Sequence, residues 1–433
     1  MAPLISNNAP AGSPTSNTPQ STRRHPMTSP KTTLIIGGGL GGLCLAQGLK
    51  RAGLPFRVFE RDAPAAWRAQ GYRIRVNGHG ADALQRTLPP SLWALFEATC
   101  AETRPGFTAV DAATGQVTAT SATAGPPMPG PPLGPYTADR TTLRGLLMRG
   151  LADDELAFGK EFTHYTLAAD GVTAHFADGT EAGGALLVGA DGLRSRVRRQ
   201  FQPAHAPLDT DGRAIYGKTP LTPTLLARFP PGALQNITLV KPPTGAPALF
   251  LEAMHFPEGA AAASAQAGVP PVADYVYWVL AARSAAFNLP DAALFALSPA
   301  ETAALSLTLT ADWAPAIRAL LELQDVDQTS ALRIGSFAPA IPAWAPDARV
   351  TLLGDAAHAM SPSGGVGANT ALRDAQHLCA ALVAGGGAVG ADAVGAYEDA
   401  MRVYAREAIE GSYHGGKRIY GQLPFEECRP LEL

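Results

Sequence analysis

The most constraining feature of this chain is a glycine-rich run, Gly37-Gly-Gly-Leu-Gly-Gly42, between a short apolar segment and a helical pattern. The segment before it, residues 32–36, is rich in β-forming residues, and the helical pattern covers residues 43–51. A second apolar run, Phe56–Phe59, ends in a carboxylate, Glu60. This order of strand, glycine turn, helix and strand predicts one βαβ unit near the start of the folded chain.

Gly37, Gly39 and Gly42 fit the GxGxxG pattern of dinucleotide-binding turns. The first glycine allows the tight turn, the second lets the backbone approach a pyrophosphate, and the third packs the helix against the strand. Glu60 follows at the expected distance of about 20 residues and would accept hydrogen bonds from ribose hydroxyls, with Arg61 beside it. The alternative is an ordinary glycine turn followed by a surface glutamate.

A second informative stretch lies more than three hundred residues downstream, where the apolar run Val350–Leu353 is followed by Gly354 and Asp355. A carboxylate at the end of a strand can hydrogen-bond a ribityl or ribose hydroxyl. The loop that follows is rich in proline and glycine and opens a helix, whose first N–H groups can stabilise an anion. The two stretches together predict a flavin site that is assembled from distant parts of the chain.

With these motifs, the chain resembles the group A flavoprotein monooxygenases, the single-component hydroxylases related to para-hydroxybenzoate hydroxylase and salicylate hydroxylase. The resemblance covers about residues 31–410 and depends on three motifs in the order of the family. They are the GxGxxG with Glu60, the segment Gly189–Arg198 and the segment Gly354–Asn369. A fourth local match is Gly71–Val76, which contains an Arg-Ile-Arg stretch.

The resemblance implies that FAD is the cofactor and that Asp355 binds its ribityl chain, with Pro362 beside the isoalloxazine ring. It also implies that backbone N–H groups after Pro362 face the pyrimidine edge of the flavin; the residues concerned are Gly365, Val366, Gly367 and Ala368, with Asn369 matching the helix start. A helix N-terminus stabilises such an anion by roughly 0.3–2 kcal/mol. His358 is interpreted as structural, with a catalytic role as the less favoured alternative.

The segment around Asp191 and Gly192 matches the family residues that approach the pyrophosphate and the nicotinamide cofactor. The resemblance suggests that Arg194 and Arg198 help to attract NADPH or NADH, although residues 194–199 are also typical of a solvated basic face. Arg140 matches an arginine that contacts FAD, and Arg75 matches an arginine near the pyrophosphate.

The implied reaction has two halves: NAD(P)H reduces FAD, and the reduced flavin traps dioxygen as a hydroperoxide that attacks an electron-rich carbon of an aromatic or polycyclic substrate. Because a phenolate is the better nucleophile, Tyr216 is a candidate for activating the substrate, although a strand aromatic in the core is the commoner case. Tyr275 and Tyr277 share one strand face and Trp278 the other, and Met254 and Phe256 lie nearby. The sequence leaves open which face meets the flavin.

Alternatives to this function are an epoxidase or another oxygenating enzyme on the same scaffold, a FAD-dependent dehydrogenase or reductase, and a flavin-binding regulatory protein. Hydrophobic residues make up 46% and charged residues 16% of the 433 residues, which indicates a globular chain. No long basic run suggests a nucleic-acid partner, and no window is apolar enough for a transmembrane helix. The oligomeric state is left open.

The four cysteines, Cys44, Cys100, Cys379 and Cys428, form no CxxC pair, so no metal site or disulfide framework is expected. Cys44 and Cys379 are interpreted as small core residues in a reducing compartment. A cytoplasmic location is favoured, with an organellar transit peptide as the alternative because residues 1–30 lack acidic side chains.

The predicted fold class is α/β: a Rossmann-like FAD-binding domain of the glutathione-reductase type, with an inserted substrate domain on a mostly antiparallel sheet. The FAD-binding domain is predicted over residues 31–101, 139–203 and 338–410, and the substrate domain over 102–138 and 204–337. Residues 1–30 are predicted to be a disordered tail and 411–433 a C-terminal tail. Residues 259–271 are predicted to form a loop, and a closing helix is expected over 391–410.

Overall fold

A computed structural model of the protein describes residues 32–63, 73–123, 130–243, 245–387 and 390–431. The predicted tail over residues 1–30 and the first two residues of the Gly71–Val76 match lie outside these ranges. The described residues form these strands: β1 (Thr33–Ile36), β2 (Phe56–Phe59), β3 (Arg73–Val76), β4 (Phe107–Asp111), β5 (Val117–Ser121), β6 (Tyr136–Asp139), β7 (Leu156–Ala157), β8 (Phe162–Ala168), β9 (Gly171–Phe176), β10 (Glu181–Gly184), β11 (Leu186–Gly189), β12 (Leu208–Pro220), β13 (Ile237–Lys241), β14 (Ala248–Met254), β15 (Tyr275–Arg283), β16 (Ser330–Ser336), β17 (Val350–Leu352) and β18 (Arg429–Pro430).

The helices of the described residues alternate with these strands. They are α1 (Leu40–Arg51), α2 (Gly78–Thr87), α3 (Pro90–Thr99), α4 (Arg140–Met148), α5 (Arg196–Phe201), α6 (Pro223–Arg228), α7 (Ala260–Ala267), α8 (Asp291–Leu294), α9 (Pro299–Leu309), α10 (Pro315–Glu322), α11 (Asp355–His358), α12 (Gly367–Ala384) and α13 (Ala391–Tyr420). Within the described residues, no helix combines the length and apolar character needed to cross a bilayer.

A five-stranded parallel sheet has the order β17-β11-β1-β2-β7. Its strands are buried and apolar, as expected for a parallel sheet covered on both faces. Ile36 is aligned with both Phe59 and Gly189, so these strands end at the same edge of the sheet. The glycine turn, Glu60 and the Asp191 turn therefore lie close together, and Asp355 follows the adjacent strand β17.

The second large sheet has the order β16-β12-β15-β14-β13-β4-β5, and β18 pairs with β12. Its pairs are antiparallel except for β13 and β4, which run parallel. Strands β10, β9 and β8, in this order, form a smaller antiparallel sheet, and β3 and β6 form another. The α/β fold with a mostly antiparallel second sheet, predicted from the sequence, is confirmed.

Residues 259–271, predicted to form a loop, contain the helix α7 (Ala260–Ala267). The prediction gave too much weight to the flanking glycines and prolines and too little to the alanines, which have the highest helix propensity. Ala260, Ala263 and Ala267 are buried. Helix α9 begins with a capping box, in which Ser298 is the N-cap and Glu301 is its partner.

The closing helix α13 continues ten residues past Glu410, to Tyr420, so the segment 411–433 does not begin as a free tail. Gly415 and Gly416 made this extension hard to predict because glycine disfavours helix interiors. Here they permit close packing: a Cβ at Gly415 would lie 2.8 Å from the backbone oxygen of Ser363. The chain after Tyr420 also packs inward, since Leu431 is buried.

Candidate active site

A large cavity of about 1850 Å³ lies between the carboxyl edge of the parallel sheet and one face of the eight-stranded sheet. It is lined by most of the residues that the sequence singled out. They are Gly37, Gly39, Gly42, Glu60, Arg61, Arg75, Arg140, Asp191, Gly192, Arg194, Tyr216, Asp355, Pro362, Gly365, Gly367 and Ala368. Val366, Arg198 and Asn369 are not among the residues that line it.

The three glycines of the GxGxxG turn have different surroundings, which explain why glycine is present at each position. Gly37 has a φ of +114°, and a Cβ there would lie 2.3 Å from the backbone oxygen of Ala190. A Cβ at Gly42 would lie 2.2 Å from the backbone oxygen of Gly37, whereas a Cβ at Gly39 would meet nothing within 4 Å. Gly39 is also the N-cap of α1, and it lines the cavity. The turn therefore presents helix N–H groups to open space, which is the geometry that binds a phosphate.

Glu60 is held against this turn rather than exposed at the surface. Its carboxylate accepts hydrogen bonds from the backbone N–H of Gly38 at 2.9 Å and of Asp62 at 2.9 Å. Arg144, on helix α4, donates to the backbone oxygen of Gly38 and lies 3.9 Å from Glu60. Arg61 beside it is exposed and lies 3.7 Å from Asp62. Arg144 was missed in the sequence, although it lies one helical turn after Arg140 on the same face.

Asp355 opens α11 with its side chain facing the cavity. Although open to the cavity, the carboxylate lies deep in the protein, and this partial loss of water raises its pKa, against the lowering effects of His358 and Arg140. Arg140 is the first residue of α4, and Asp139 caps this helix by accepting from Thr141 and Thr142. The site thus brings the carboxylate of Asp355 within electrostatic reach of the guanidinium of Arg140, which comes from a distant part of the chain.

His358 lies behind Asp355 in the core and does not line the cavity. Its Nε2 lies 2.6 Å from Oδ2 of Asp374, which also accepts from the backbone N–H of Gly354. The other oxygen of Asp374 accepts from Tyr404 at 2.6 Å. Burial alone would lower the pKa of His358, but the carboxylate of Asp374 outweighs it and raises that pKa above its ordinary value. This network holds the strand end that carries Asp355, so the structure supports the interpretation of His358 as structural.

The loop after Met360 forms a short turn, Pro362–Gly364, and leads into α12. Helix α12 is 18 residues long, and its N-cap, Val366, makes no side-chain capping bond. Gly367 and Ala368 in its first turn line the cavity, so the positive end of this helix faces the cavity.

Asn369 is placed differently from the predicted cofactor contact. It is buried, its Oδ1 accepts from the backbone N–H of Asn77, and its Nδ2 donates to the backbone oxygens of Arg75 and Gly365. Its amide therefore connects the start of α12 to strand β3. Asn369 matches the family motif in sequence, but its side-chain amide forms hydrogen bonds with the protein backbone.

The segment after β11 is also only partly as predicted. Asp191 lines the cavity, and its Oδ2 accepts from the backbone N–H of Arg196, the first residue of α5. Arg194 is exposed and lines the cavity. Arg198, however, is buried: it donates to the backbone oxygen of Leu193, and its guanidinium lies 5.3 Å from the ring centroid of Phe337. Arg198 is therefore not available to a dissolved nicotinamide cofactor, and the prediction for this residue is wrong.

The face of the eight-stranded sheet that meets the cavity is now defined. Tyr216 and Tyr277 lie on it with ring centroids 6.2 Å apart, and Phe250 packs against Tyr277 at 6.4 Å. Trp278 is on the opposite face, fully buried, and its indole N–H donates to Thr219. Burial raises the pKa of Tyr216, so its hydroxyl stays protonated at neutral pH. The alternation of side chains along the strand correctly placed Tyr277 and Trp278 on opposite faces. It could not show which face meets the cavity.

Residues near the end of α13 also line the cavity, among them Arg418, Ile419 and Tyr420, and sequence reasoning missed them. The hydroxyl of Tyr420 donates to Gln422 at 2.7 Å and lies 3.2 Å from the hydroxyls of both Thr210 and Ser361. Tyr420 thereby connects the second sheet to the residue before Pro362. No local signal marks this residue, because it lies at the end of a glycine-containing helical segment.

The cavity fits FAD on three observations of its residues. The position of a Cβ at Gly39 is open, so a pyrophosphate could approach the start of α1. Asp191 Oδ1 is buried without a hydrogen-bond partner among the described residues, and Asp355 faces the cavity. The two helix N-termini, of α1 and α12, face the same cavity from different segments. This fold and site define a Rossmann-type flavoprotein.

Two family models match the chain. The one described as "FAD binding domain" matches residues 311–412, and the one described as "NAD(P)-binding Rossmann-like domain" matches residues 35–99. The first includes the Asp355 motif and the second the glycine turn, so the two motifs are matched independently of each other.

Among known proteins, the chain is 40% identical to the dual O-methyltransferase/FAD-dependent monooxygenase elcB of Phaeosphaeria nodorum, over 92% of the chain and 47% of that protein. It is 30% identical to a protein of Photorhabdus luminescens assigned to the FAD-containing monooxygenases, with a TM-score of 0.74 over 90% of this chain and 98% of that one. A salicylate hydroxylase substrate complex shares the fold, with 22% identity, a TM-score of 0.66 and coverage of 92% and 91% of the two chains.

The chain belongs to the group A FAD-dependent monooxygenases, a family of oxidoreductases, and FAD is its cofactor. It spans about half the length of the dual-function relatives that it matches.

Proposed function

We propose that the protein is a monooxygenase that uses NAD(P)H and dioxygen to hydroxylate an aromatic or polycyclic small molecule. The observation that carries this proposal is that one cavity contains both the predicted flavin contacts and an aromatic wall. Asp355 and the start of α12 line this cavity together with Tyr216 and Tyr277. Bound FAD would supply the redox chemistry and the activation of dioxygen.

On the cofactor side, we assign backbone and carboxylate groups to FAD. The glycine turn and α1 would hold the pyrophosphate, and Glu60 would accept from the adenosine ribose. Asp355 would accept from the ribityl chain, and Arg140 would lie beside the flavin. The backbone N–H groups of Gly365, Gly367 and Ala368 would face the pyrimidine edge, where the start of α12 favours negative charge. Asp191, Gly192, Arg61 and the backbone of Arg75 complete this set.

On the substrate side, Tyr216 would orient the substrate by donating a hydrogen bond to a phenolic oxygen. Because burial raises the pKa of Tyr216, this side chain is suited to donate a proton in a hydrogen bond and unsuited to remove one. The neighbouring walls, formed by Phe250, Val279 and Leu332, would exclude water from the reacting carbon. Pro362, at the turn before α12, would fix the boundary between the flavin and the substrate.

The nicotinamide cofactor would approach from the exposed side, where Arg194 lines the cavity. Arg196 is less available, because it is bound to Glu161 at 2.7 Å. Two other exposed arginines, Arg61 and Arg418, also line the cavity, and these positions give no basis for choosing between NADH and NADPH.

The proposal is tested by turnover of the FAD-loaded protein with NADH or NADPH under labelled dioxygen and a panel of mono- and polycyclic phenols. Incorporation of one labelled oxygen atom into a product is the expected result. Hydrogen peroxide is measured in parallel, because a dehydrogenase or reductase would oxidise NAD(P)H without labelling any product. Steady hydride transfer with an unlabelled product would overturn the proposal.

A further inference from the structure

A buried cluster of charges lies where the cavity wall passes from strand β3 to strand β14. The guanidinium groups of Arg73 and Arg75 both bind the carboxylate of Glu252, Arg73 at Oε2 and Arg75 at Oε1. The side chains of Arg73 and Glu252 are only 8% and 3% exposed, and that of Arg75 is 15% exposed. Two cations thus share one carboxylate in a region largely removed from water.

The neighbouring charges do not correct this imbalance. Asp139, which lies opposite Arg73 across the β3–β6 pair, binds Lys218 at 3.0 Å and accepts from the hydroxyl of Tyr275 at 2.9 Å. Among the described residues that these contacts join, three cations share two carboxylates. The Nε of Arg73 is also buried without a hydrogen-bond partner among the described residues. A buried cation without full compensation is costly, so an anionic ligand would be favoured here.

Arg73 is directed towards the aromatic side of the cavity. Its guanidinium lies 5.8 Å from the ring centroid of Phe250, and Arg73, Phe250 and Tyr277 all line the cavity. Arg75 makes a different connection, because its backbone oxygen accepts from Asn369 at the start of α12. Of the two arginines, Arg73 is therefore the one placed beside the aromatic wall.

We propose that Arg73 recognises an anionic oxygen of the substrate, a carboxylate or an ionised acidic hydroxyl, carried on an aromatic frame that packs against Phe250 and Tyr277. This inference rests on the proposed function, because it concerns the substrate side of the same cavity. Phe250, Val279 and Leu332 make the nearby wall apolar, whereas the corner at Arg73 carries a net positive charge. The FAD pyrophosphate is the competing anion for this corner.

The test compares two probes of the same shape at pH 7, 3-hydroxy-2-naphthoate and its neutral amide. Binding to the FAD-loaded protein is titrated through the change in the flavin absorbance spectrum, without NAD(P)H and without turnover. A charge-assisted hydrogen bond predicts that the wild-type protein binds the naphthoate more tightly than the amide, by roughly tenfold or more. This result depends on binding alone, so it stands or fails separately from oxygen transfer.

The Arg73→Met variant should reduce this preference to about twofold or less, with the FAD content unchanged, because Glu252 keeps Arg75 as its partner. Arg73→Lys keeps the charge but loses the planar fork, so it should retain part of the preference. Arg86→Met is the matched control: it removes an arginine whose side chain is 63% exposed on α2, away from the residues that line the cavity.

Equal binding of the two probes by the wild-type protein overturns the inference, and so does failure of the naphthoate to bind. An unchanged preference in Arg73→Met also overturns it. Loss of FAD from Arg73→Met shows instead that Arg73 serves the FAD pyrophosphate, and this too counts against it. If Arg73→Met does not fold, the wild-type comparison and Arg73→Lys still decide the question.

Discussion

The two sides of the cavity are built in different ways. On the cofactor side, the groups that face the cavity are largely backbone groups and carboxylates at strand ends, held by glycines and helix N-termini. On the substrate side, the groups are side chains on one face of a sheet, such as Tyr216, Phe250 and Tyr277. The cofactor side is therefore sensitive to backbone geometry, and the substrate side to the size and polarity of single side chains.

This difference suggests a rule for mutations. Substitutions on the cofactor side should affect folding or FAD content, whereas substitutions on the substrate side should affect substrate binding and oxygen transfer while leaving FAD in place. Four variants or pairs of variants test the rule, beginning with the largest expected effect.

Gly37→Ala should prevent stable folding or FAD loading. A non-glycine residue at a φ of +114° is strained by about 1–3 kcal/mol, and the added Cβ would also meet the Ala190 oxygen at 2.3 Å. Gly39→Ala is the matched control, since its Cβ would meet nothing and its φ of −78° suits alanine. It should change the free energy of unfolding by no more than about 1 kcal/mol but weaken FAD binding. Thermal unfolding and flavin content measure both. Normal folding and FAD content in Gly37→Ala would break the rule, and unfolding of Gly39→Ala would contradict the different roles of the two glycines.

Asp355→Ala should give folded protein that binds FAD about ten to a hundred times more weakly, because a hydrogen bond to a charged group contributes about 1.5–3 kcal/mol. Asp355→Asn keeps the shape and one acceptor oxygen and should lose less. Titration of the apoprotein with FAD, followed by flavin fluorescence, measures the affinity. Normal affinity in the alanine variant would remove Asp355 from the cofactor site.

The cofactor side was also the more predictable from sequence, and for a physical reason. A turn such as Gly37–Gly42 is fixed by residues adjacent in the chain, so its signal is local. The direction of a side chain depends on tertiary packing, and here the sequence was less reliable. Arg198 and Asn369 match the family motifs, yet both are buried and bonded within the protein.

On the substrate side, the sequence predicted strands β14 and β15 and their alternation but not their orientation. Tyr275, Tyr277 and Trp278 could be assigned to opposite faces, but only the packed sheet shows that Tyr277 lines the cavity and Trp278 does not. Tyr420 and the Arg73–Glu252 contact were not predictable, since they join segments far apart in the chain. Non-local contacts of this kind leave no signal in a single sequence.

The buried pair of His358 and Asp374, which lies behind the cofactor side, should make the free energy of unfolding depend on pH. Against the lowering effect of burial, Asp374 raises the folded-state pKa of His358 above its ordinary value. The contribution of this pair to stability is therefore complete below about pH 6.5. It is lost as pH rises through the pKa of His358 in the folded protein. The free energy of unfolding, measured by urea titration from pH 6 to 9, should fall with pH more steeply in the wild type than in His358→Gln. Identical slopes would contradict the charged pair.

His205 provides an opposite control close by. Burial lowers its pKa to about 4, and its Nε2 donates to the backbone oxygen of Ala357. Its folded-state pKa lies below the unfolded value, so protonation favours unfolding, and its contribution is lost as pH falls from about 6.5 towards 4. His205→Gln should therefore flatten the acid side of the stability profile and leave the alkaline side unchanged.

The smallest effect is expected at Tyr216, on the substrate side. Tyr216→Phe removes one neutral hydrogen bond, which contributes about 0.5–1.5 kcal/mol, so oxygen transfer should slow by roughly three- to tenfold. FAD content and the rate of FAD reduction by NAD(P)H should stay near the wild-type values, because the ring and its packing on Tyr277 remain. Tyr277→Phe is the matched control on the same wall. Stopped-flow absorbance separates reduction from oxygen transfer, and released hydrogen peroxide reports uncoupling. Equal slowing of both half-reactions in Tyr216→Phe would mean that this side chain acts on the flavin, and the division between the two sides of the cavity would then not hold.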